Sequence, residues 1–186
     1  MGESTQGPRV TYAAVMIHDR QLASSAFPGD DGQASESLRT QLALATDGSA
    51  DSYLRAVAAL GEARLLVPVV AAVTETGSSS GGLRVEKEAD MSVVLWQAAD
   101  GRRCAVGFTG LDSLAAWHPE ARPVPVTVDV LAKAALDDHA VALIIDVAGP
   151  ASLVVEGDLL STLANGQRLV ALSDGGFGWL SLSSEP

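Results

Sequence analysis

The stretch LAAWHPEARPVPV, residues 114–126, holds the densest group of chemically versatile side chains in this sequence. A tryptophan, a histidine, a glutamate and an arginine lie close together there, among three prolines. Because tryptophan and arginine are enriched at protein interfaces, and a proline-bearing backbone is stiff, the stretch suits protein docking. The candidate protein-docking patch consists of Trp117, His118, Glu120, Arg122 and Lys87.

The same stretch also has a purely structural interpretation, as a joint between a helix and a strand. Leu114 and Trp117 lie three residues apart and share a helix face, and Pro119 ends that helix. Pro123 and Pro125 favour an extended strand whose edge resists unwanted pairing. On this interpretation the polar side chains simply stay in water, and the sequence leaves both interpretations open.

Acidic residues offer a second kind of chemistry, because they could line the pocket of a small-molecule-binding or hydrolytic domain. The residues considered for such a pocket are Asp30, Asp31, Asp90, Lys87 and Arg122. A deep cavity lined by these residues would favour ligand binding, whereas a flat surface would favour a protein partner.

Signatures of the common enzyme classes are missing from the sequence. His18, His118 and His139 are far apart and form no metal-binding pair. The sole cysteine, Cys104, lies on the inward face of a predicted strand, where a thiol is inert by default. Since there is also no Gly-x-Ser-x-Gly elbow and no phosphate-binding loop, we expect no enzymatic activity, no metal and no cofactor.

The charge distribution argues against nucleic acids and anionic membranes as partners. The formal net charge is −11, and residues 123–186 hold two basic side chains against eight acidic ones. An acidic surface repels phosphate groups. The longest apolar run, residues 65–73, is too short to span a bilayer, and the first residues lack a signal-peptide pattern. A cytoplasmic protein is therefore expected.

Hydrophobic periodicity and turn residues together predict an α+β fold. The predicted helices are residues 34–45, 52–63, a short helix that runs through Trp117, 128–137 and 158–164, and the predicted strands are residues 64–73, 90–98, 102–108, 122–128, 140–147, 152–156 and 168–172. Hairpins and helical crossovers coexist in this order, which indicates a single domain with a mixed β-sheet, a central β-hairpin and flanking short helices. The expected organisation is a partly flexible N-terminal segment 1–19, the domain 20–172 and a C-terminal tail 173–186.

Local signals make sharper predictions at a few positions. Asp51 can cap the second helix, and Thr109 with Asp112 has the spacing of a capping box. Pro68 has no N–H to donate, so its strand should carry a bulge or lie at a sheet edge.

The strongest local pattern is a β-hairpin with an Asp-Gly turn at Asp100–Gly101. Strand alternation in its second arm predicts which side chains face the core. The predicted inward residues are Cys104, Val106 and Phe108, which alternate with Arg103, Ala105 and Gly107.

Seven segments of the sequence occur in an order and spacing that resemble actinobacterial SseB-like proteins, the enhanced-serine-sensitivity family. These segments are GDDG, ARLLVPVVA, EKEADM, DGRR, LAAWHPEARPVPV, VALIIDVAGP and LANGQ. The resemblance covers residues 20–170 and departs after the lysine of EKEADM, after NGQ and in the C-terminal GGFGWLSL. It implies an α+β domain without an established enzymatic activity or cofactor, and it offers no catalytic residues to carry over.

These observations favour a non-enzymatic cytoplasmic domain that binds a protein partner or associates with itself. The alternative is a small-molecule-binding or hydrolytic domain that uses the acidic pocket described above.

The lack of ligands at metal-binding spacing predicts that the protein folds without a metal ion. Adding EDTA should leave the melting temperature unchanged in differential scanning calorimetry. A drop of several degrees that a divalent ion reverses would contradict this expectation.

Overall fold

The computed structural model describes residues 27–70, 92–93, 95–97 and 101–181. The predicted N-terminal segment 1–19 lies outside these ranges, and so do Lys87, Asp90 and Asp100.

Five helices and nine strands make up the described part of the chain. The helices are α1 (Glu36–Leu44), α2 (Ala50–Leu60), α3 (Leu111–Trp117), α4 (Val128–Asp137) and α5 (Gly157–Ala164). The strands are β1 (Leu65–Val70), β2 (Ser92–Val93), β3 (Leu95–Gln97), β4 (Arg103–Gly107), β5 (Arg122–Val126), β6 (Ala142–Ile145), β7 (Leu153–Glu156), β8 (Gln167–Ala171) and β9 (Phe177–Ser181). The predicted α+β class with a mixed sheet is confirmed.

The strands form three sheets with the orders β2-β1-β5, β3-β4-β6-β7 and β8-β9. All neighbouring pairs are antiparallel except β4 and β6, which are parallel. Leu66 of β1 and Phe108, which directly follows β4, exchange two backbone hydrogen bonds and join the first two sheets. The carboxyl ends of the parallel pair therefore lie next to this connection.

Strands β4 and β6 are buried on both faces. Ala105, Leu143 and Ile145 belong to the main core, to which α4 and α5 also contribute. Cys104 and Val106 belong to a second core on the opposite face, beneath α3. Burial on both faces explains why these strands read as nearly continuous apolar runs. The prediction that Cys104, Val106 and Phe108 face a core is confirmed, but Ala105 and Gly107 are buried as well.

The predicted hairpin forms between β3 and β4, with Gln97 opposite Arg103 as the last described pair. Because Gln97 lies opposite Arg103, the loop between them is centred on residue 100. A two-residue loop of Asp100 and Gly101 would instead place Ala98 opposite Arg103. The loop is therefore longer than predicted. Gly101 has a φ of +85°, as expected for the left-handed residue that ends a three-residue or longer hairpin loop.

Pro68 lies in a central strand and not at a sheet edge or a bulge, because β1 pairs with β5 on one side and β2 on the other. The bonds between Leu66 and Phe108 show which way β1 alternates, and the nitrogen of Pro68 points to that same side. There the described pairing with β2 reaches only Val69 and Val70. The missing N–H of Pro68 thus removes no described ladder bond.

Two predicted helix caps are replaced by neighbouring residues. Ser49, not Asp51, caps α2, since its hydroxyl accepts from the Ser52 N–H at 3.1 Å. At α3 the N-cap is Gly110, and its N–H donates to the hydroxyl of Ser113 at 3.4 Å. Thr109 therefore lies one residue before the cap, where its side chain is available for other contacts.

The hairpin of β8 and β9 is the last element that the structure describes. Its register runs from Gln167 opposite Ser181 to Ala171 opposite Phe177. Leu169 anchors it in the main core. The sequence pattern assigns residues 173–186 to a tail and does not predict β9, because the segment is short and rich in glycine and serine.

Replacing Gly101 by valine should destabilise the fold by about 1–2 kcal/mol, because a β-branched residue resists a positive φ. A Cβ at this position would meet no other atom within 4 Å, so backbone strain is the whole cost. Urea denaturation measures the change. Gly101→Asn is the matched control, since asparagine tolerates this conformation; equal stability of the two variants would contradict the assignment.

Candidate functional site

A network of charged and polar side chains lies at the carboxyl ends of the parallel strands β4 and β6. We call it the polar junction, and it consists of Asp30, Arg39, Arg64, Thr109, Asp112 and Asp146. In open sheets this end of parallel strands is where ligand sites commonly form.

Arg64 directly precedes β1 and connects three segments of the polar junction. Its guanidinium binds both carboxylate oxygens of Asp30, at 2.7 and 2.9 Å. It also donates to the backbone oxygens of Thr109 and Gln33, at 2.5 and 2.6 Å. The hydrogen bond from Arg64 is the main cause that holds the pKa of Asp30 below its ordinary value of 3.8. The side chains of Arg64 and Asp30 are only 9% and 18% exposed, so this pair is largely shielded from water.

Arg39 on α1 makes a second two-pronged ion pair, with Asp112 on α3. Its two terminal nitrogens reach the two carboxylate oxygens at 2.6 and 2.5 Å. This hydrogen bonding lowers the pKa of Asp112, and it raises the pKa of Arg39. The Arg39 Nε donates to the Thr109 hydroxyl at 3.2 Å, which ties α1 to the end of β4.

Asp146 directly follows β6 and is the most deeply buried acid of the polar junction, with 2% of its surface exposed. Its carboxylate accepts the Thr109 N–H at 2.9 Å and the Thr109 hydroxyl at 2.6 Å. Since that hydroxyl has one proton, it donates to Asp146 while it accepts from Arg39. The contact lies directly after Gly107 and Ile145, the last paired residues of the parallel strands β4 and β6.

The backbone around Asp146 is turned sharply. Asp146 has a φ of +50°, a left-handed conformation that aspartate tolerates better than most residues. Its carbonyl accepts from the Gly149 N–H at 2.8 Å, and a Cβ on Gly149 would lie 2.9 Å from the Asp146 Cβ. The tight turn in DVAGP fixes the backbone of Asp146, whose carboxylate accepts hydrogen bonds from Thr109.

Two cavities lie near these elements. One, of about 160 Å³, lies between α1 and the turn after β6, and Arg39, Leu42, Asp146 and Pro150 are among its lining residues. The other is a more open groove of about 450 Å³ between α1, α2 and β8. Of the two, only the smaller cavity borders the polar junction.

The chemistry open to the polar junction is limited by burial. A threonine hydroxyl against a carboxylate resembles a nucleophile with its base. Thr109, however, is fully buried, and its hydroxyl already has a donor and an acceptor. We therefore interpret the Thr109–Asp146 contact as a structural element. Among the described residues, no group of three or more His, Cys, Asp or Glu side chains could hold a metal ion.

The predicted docking patch lies at the end of α3 and the start of β5. Trp117 is half-buried, with its ring 5.4 Å from that of Phe108, and His118 follows with a ring 5.7 Å from Trp117. Glu120 and Arg122 are exposed. The four described patch residues lie within the six positions 117–122, and Lys87 lies outside the described residues.

The prolines of β5 behave as the joint interpretation expects. Since Leu66 bonds towards Phe108, the alternation along β1 directs Leu65 and Val67 towards β5. The nitrogens of Pro123 and Pro125 therefore point away from β1, along the free edge of this described sheet. That edge offers no N–H to an incoming strand at either position.

The described residues of the predicted acidic pocket, Asp30, Asp31 and Arg122, line neither of these two cavities. Asp30 is bound by Arg64, and Asp31 is exposed and accepts the Gln33 N–H at 2.9 Å. Arg122 lies on β5. Asp90 and Lys87 lie outside the described residues. The acids that do border these cavities are Asp146 at the smaller one and Glu62 at the larger one, and the sequence pattern singles out neither.

Sequence reasoning missed Arg39, Arg64 and Asp146, although two of them carry a recognisable signal. Arg64 directly precedes a buried strand and Asp146 directly follows one. A charged residue that bounds an apolar run at the level of the core needs a partner nearby. The partner itself could not be named, since it lies far away in the sequence.

The fold and the site define an α+β domain in which a polar junction links α1 and α3 to the ends of β4 and β6. The family described as SseB protein N-terminal domain matches residues 38–162, and the chain belongs to this family. No curated protein and no solved structure matches the chain. None of the helices in the described ranges is long and apolar enough to cross a membrane. The family match ends within α5, so the β8–β9 hairpin lies beyond it.

Replacing Arg64 by glutamine should lower the free energy of unfolding at neutral pH by about 2 kcal/mol, because Asp30 loses a charged hydrogen-bonding partner and the backbone oxygens of Thr109 and Gln33 lose a donor. Urea denaturation followed by circular dichroism measures this change. Arg55→Gln is the matched control. It breaks the exposed pair between Arg55 and Asp51, which should contribute about 0.5 kcal/mol or less. Similar losses in both variants would contradict the role given to Arg64.

Acid titration adds a second readout for the same variant. The pKa of Asp30 is lower in the folded protein than in the unfolded chain, so its ion pair stabilises the fold above pH 3.8. That contribution is lost as the pH falls further, through the folded pKa. The wild type should therefore lose more stability between about pH 5 and pH 2 than Arg64→Gln does.

Proposed function

We propose that this protein is a non-enzymatic member of the SseB family that acts by binding a protein partner or a second copy of itself. The observation that carries this proposal is a group of large apolar side chains exposed on the β8–β9 hairpin. We call it the hairpin patch, and it consists of Leu172 and Leu180 on one face of the hairpin, 45% and 53% exposed, and Trp179 on the opposite face, 38% exposed. Exposed apolar groups of this kind mark interaction surfaces.

Covering the hairpin patch would be favourable. Burying a large apolar side chain completely contributes about 1.5–3 kcal/mol, so these partly exposed residues would contribute about 1 kcal/mol each. Tryptophan is also among the residues that carry most of the energy at interfaces. Since two-stranded hairpins are marginally stable by themselves, the patch depends on the anchor that Leu169 provides.

The absence of enzymatic activity remains part of the proposal. It is supported by the burial of Thr109 and by the hydrogen bonds that occupy the ionic groups around it. A substrate would have to reach a group that is free to react, and the polar junction offers none of its hydroxyls to solvent.

The predicted docking patch of Trp117, His118, Glu120 and Arg122 is a second candidate surface on this protein. Glu120 and Arg122 lie on the surface beside a stiff, proline-bearing strand, whereas His118 is half-buried. It is less apolar than the hairpin patch, because its tryptophan packs against Phe108. We therefore rank it below the hairpin patch.

Small-molecule binding is the second candidate function, with different residues from those predicted. The cavity of about 160 Å³ is bordered by the Asp146 carboxylate and by Arg39, with apolar walls that include Leu42. A ligand of a few heavy atoms would fit this volume. Native mass spectrometry would favour this candidate if it detected a bound molecule that an Ala43→Phe variant, with the cavity filled, no longer retained.

We further propose that the protein is of the actinobacterial type and works in the cytoplasm. The order of the sequence segments from GDDG to LANGQ supports the first point. The net charge of −11 and the single cysteine support the second.

The combined substitution Trp179→Ser and Leu180→Ser should abolish partner binding or self-association while the fold stays intact. Trp179 is 38% exposed, so the double variant should also lose about 1–2 kcal/mol of stability, and binding is compared well below its melting temperature. Light scattering of the purified protein measures self-association, and quantitative affinity capture from the native cytoplasm measures other partners. We expect at least a tenfold loss in one of the two.

Leu44→Ser is the matched control, because Leu44 is a similarly exposed leucine, 52%, on α1. It should leave both measurements unchanged. His118→Ala with Arg122→Glu tests the second surface in the same assays. If none of these variants changes self-association or capture, the proposed function is wrong.

A further inference from the structure

The outer edge of β9 is the feature from which a specific partner can be inferred. Strand β8 pairs with one edge of β9, and no other described strand pairs with the opposite edge. The Leu172 N–H donates to the Gly176 carbonyl at 2.8 Å, in register with the ladder between β8 and β9. Hydrogen-bonded and non-bonded pairs alternate in an antiparallel ladder. The backbone groups of Phe177, Trp179 and Ser181 therefore point outward.

This edge lacks the devices that usually prevent strands from pairing. The register of β9 is regular over its whole length, so there is no bulge. Residues 175–184 contain neither a charged residue nor a proline. The outer edge of β5, with which no described strand pairs, differs from that of β9 because Pro123 and Pro125 occupy its outward positions and donate no N–H.

We propose that β9 pairs in antiparallel orientation with β9 of a second copy, about a two-fold axis at Trp179, and that the chain is thereby a homodimer. This inference rests on the proposed function and names the partner of the hairpin patch. It would join two hairpins into one four-stranded sheet across the interface.

The sequence of β9, Phe-Gly-Trp-Leu-Ser, is self-complementary in this register. The outward residues Phe177 and Ser181 lie symmetrically about Trp179, so all their outward N–H and C=O groups find partners at once. Trp179 meets Trp179 of the second copy, and aromatic cross-strand pairs stabilise sheets. On the other face Leu180 lies opposite Gly178 of the second copy, where the Leu172 side chain of that copy packs over the glycine and offers an apolar contact.

Charge also favours a second copy at this surface over a contact elsewhere between copies. Each chain has a net charge of −11, so most surfaces of two copies repel each other. Strand β9 is uncharged from end to end. The interface is small beside the roughly 1,200–2,000 Å² of stable complexes, so the dimer should form in a concentration-dependent way.

The first test uses the full chain and two substitutions at Ser181. Ser181→Pro removes an outward N–H without touching the bonds between β8 and β9, whereas Ser181→Ala keeps it. Both variants lose the same side-chain contact with Gln167. Sedimentation equilibrium over a wide concentration range should show the wild type and Ser181→Ala approaching twice the 19.1 kDa chain mass. Ser181→Pro should dissociate at least tenfold more readily, and Trp179→Lys should stay monomeric at temperatures well below its own melting temperature.

The second test reads the register. In a Cys104→Ala background, Phe177→Cys chains mixed with Ser181→Cys chains should form a disulfide under mild oxidation, since paired residues lie about 5.5 Å apart between Cα atoms. Either variant alone should not form one, because identical positions are then about 13 Å apart.

The outcomes separate this inference from the proposed function. A wild-type chain that stays monomeric at every concentration overturns the dimer, and so does a dimer that survives both Ser181→Pro and Trp179→Lys. If the wild type is monomeric but the Trp179→Ser and Leu180→Ser variant loses a captured protein, the proposed function stands with another partner. Both proposals fail if neither self-association nor capture of a partner is reduced in the Trp179→Ser and Leu180→Ser variant or in the His118→Ala and Arg122→Glu variant.

Discussion

The buried contact between Thr109 and Asp146 is the constraint on which the rest of the structure depends. It lies where the parallel strands β4 and β6 end, and its carboxylate satisfies a backbone N–H that the ladder no longer reaches. Apolar burial is non-directional and would let the surrounding segments slide. Hydrogen bonds in a buried setting require a defined geometry, and they are expensive to leave unmade. Arg39 and Arg64 extend that geometry to α1, α3 and β1.

In the proposed function, the groups that stabilise the fold differ from the groups that bind a partner. The ionic groups that a catalytic site would use are already bound to one another at the polar junction. The apolar groups that a core would use are partly exposed on the β8–β9 hairpin, beyond the matched family region.

Local sequence patterns predicted the elements well where one pattern decided the outcome. The helix at residues 128–137 and the pairing around Gly101 follow from periodicity and from turn chemistry within a few residues. Prediction failed where neighbours in space decided. The sequence pattern places Pro68 at a bulge or a sheet edge, yet its strand β1 is central. On the side to which the Pro68 nitrogen points, Leu66 pairs with Phe108, and Val69 and Val70 pair with β2. Thr109 was expected to cap α3, yet its hydroxyl is used by Asp146.

By itself the sequence determined the fold class, most helices and strands, the acidic character and the lack of familiar catalytic motifs. Each of these depends on spacing or composition over a short window of chain. Only the tertiary structure decided which charges pair, because Asp30 and Arg64 are separated by 34 residues and Arg39 and Asp112 by 73. It also decided that β9 pairs with β8 and that no other described strand pairs with the opposite edge of β9. Such choices depend on which surfaces meet once the core has closed, and no local pattern carries that information.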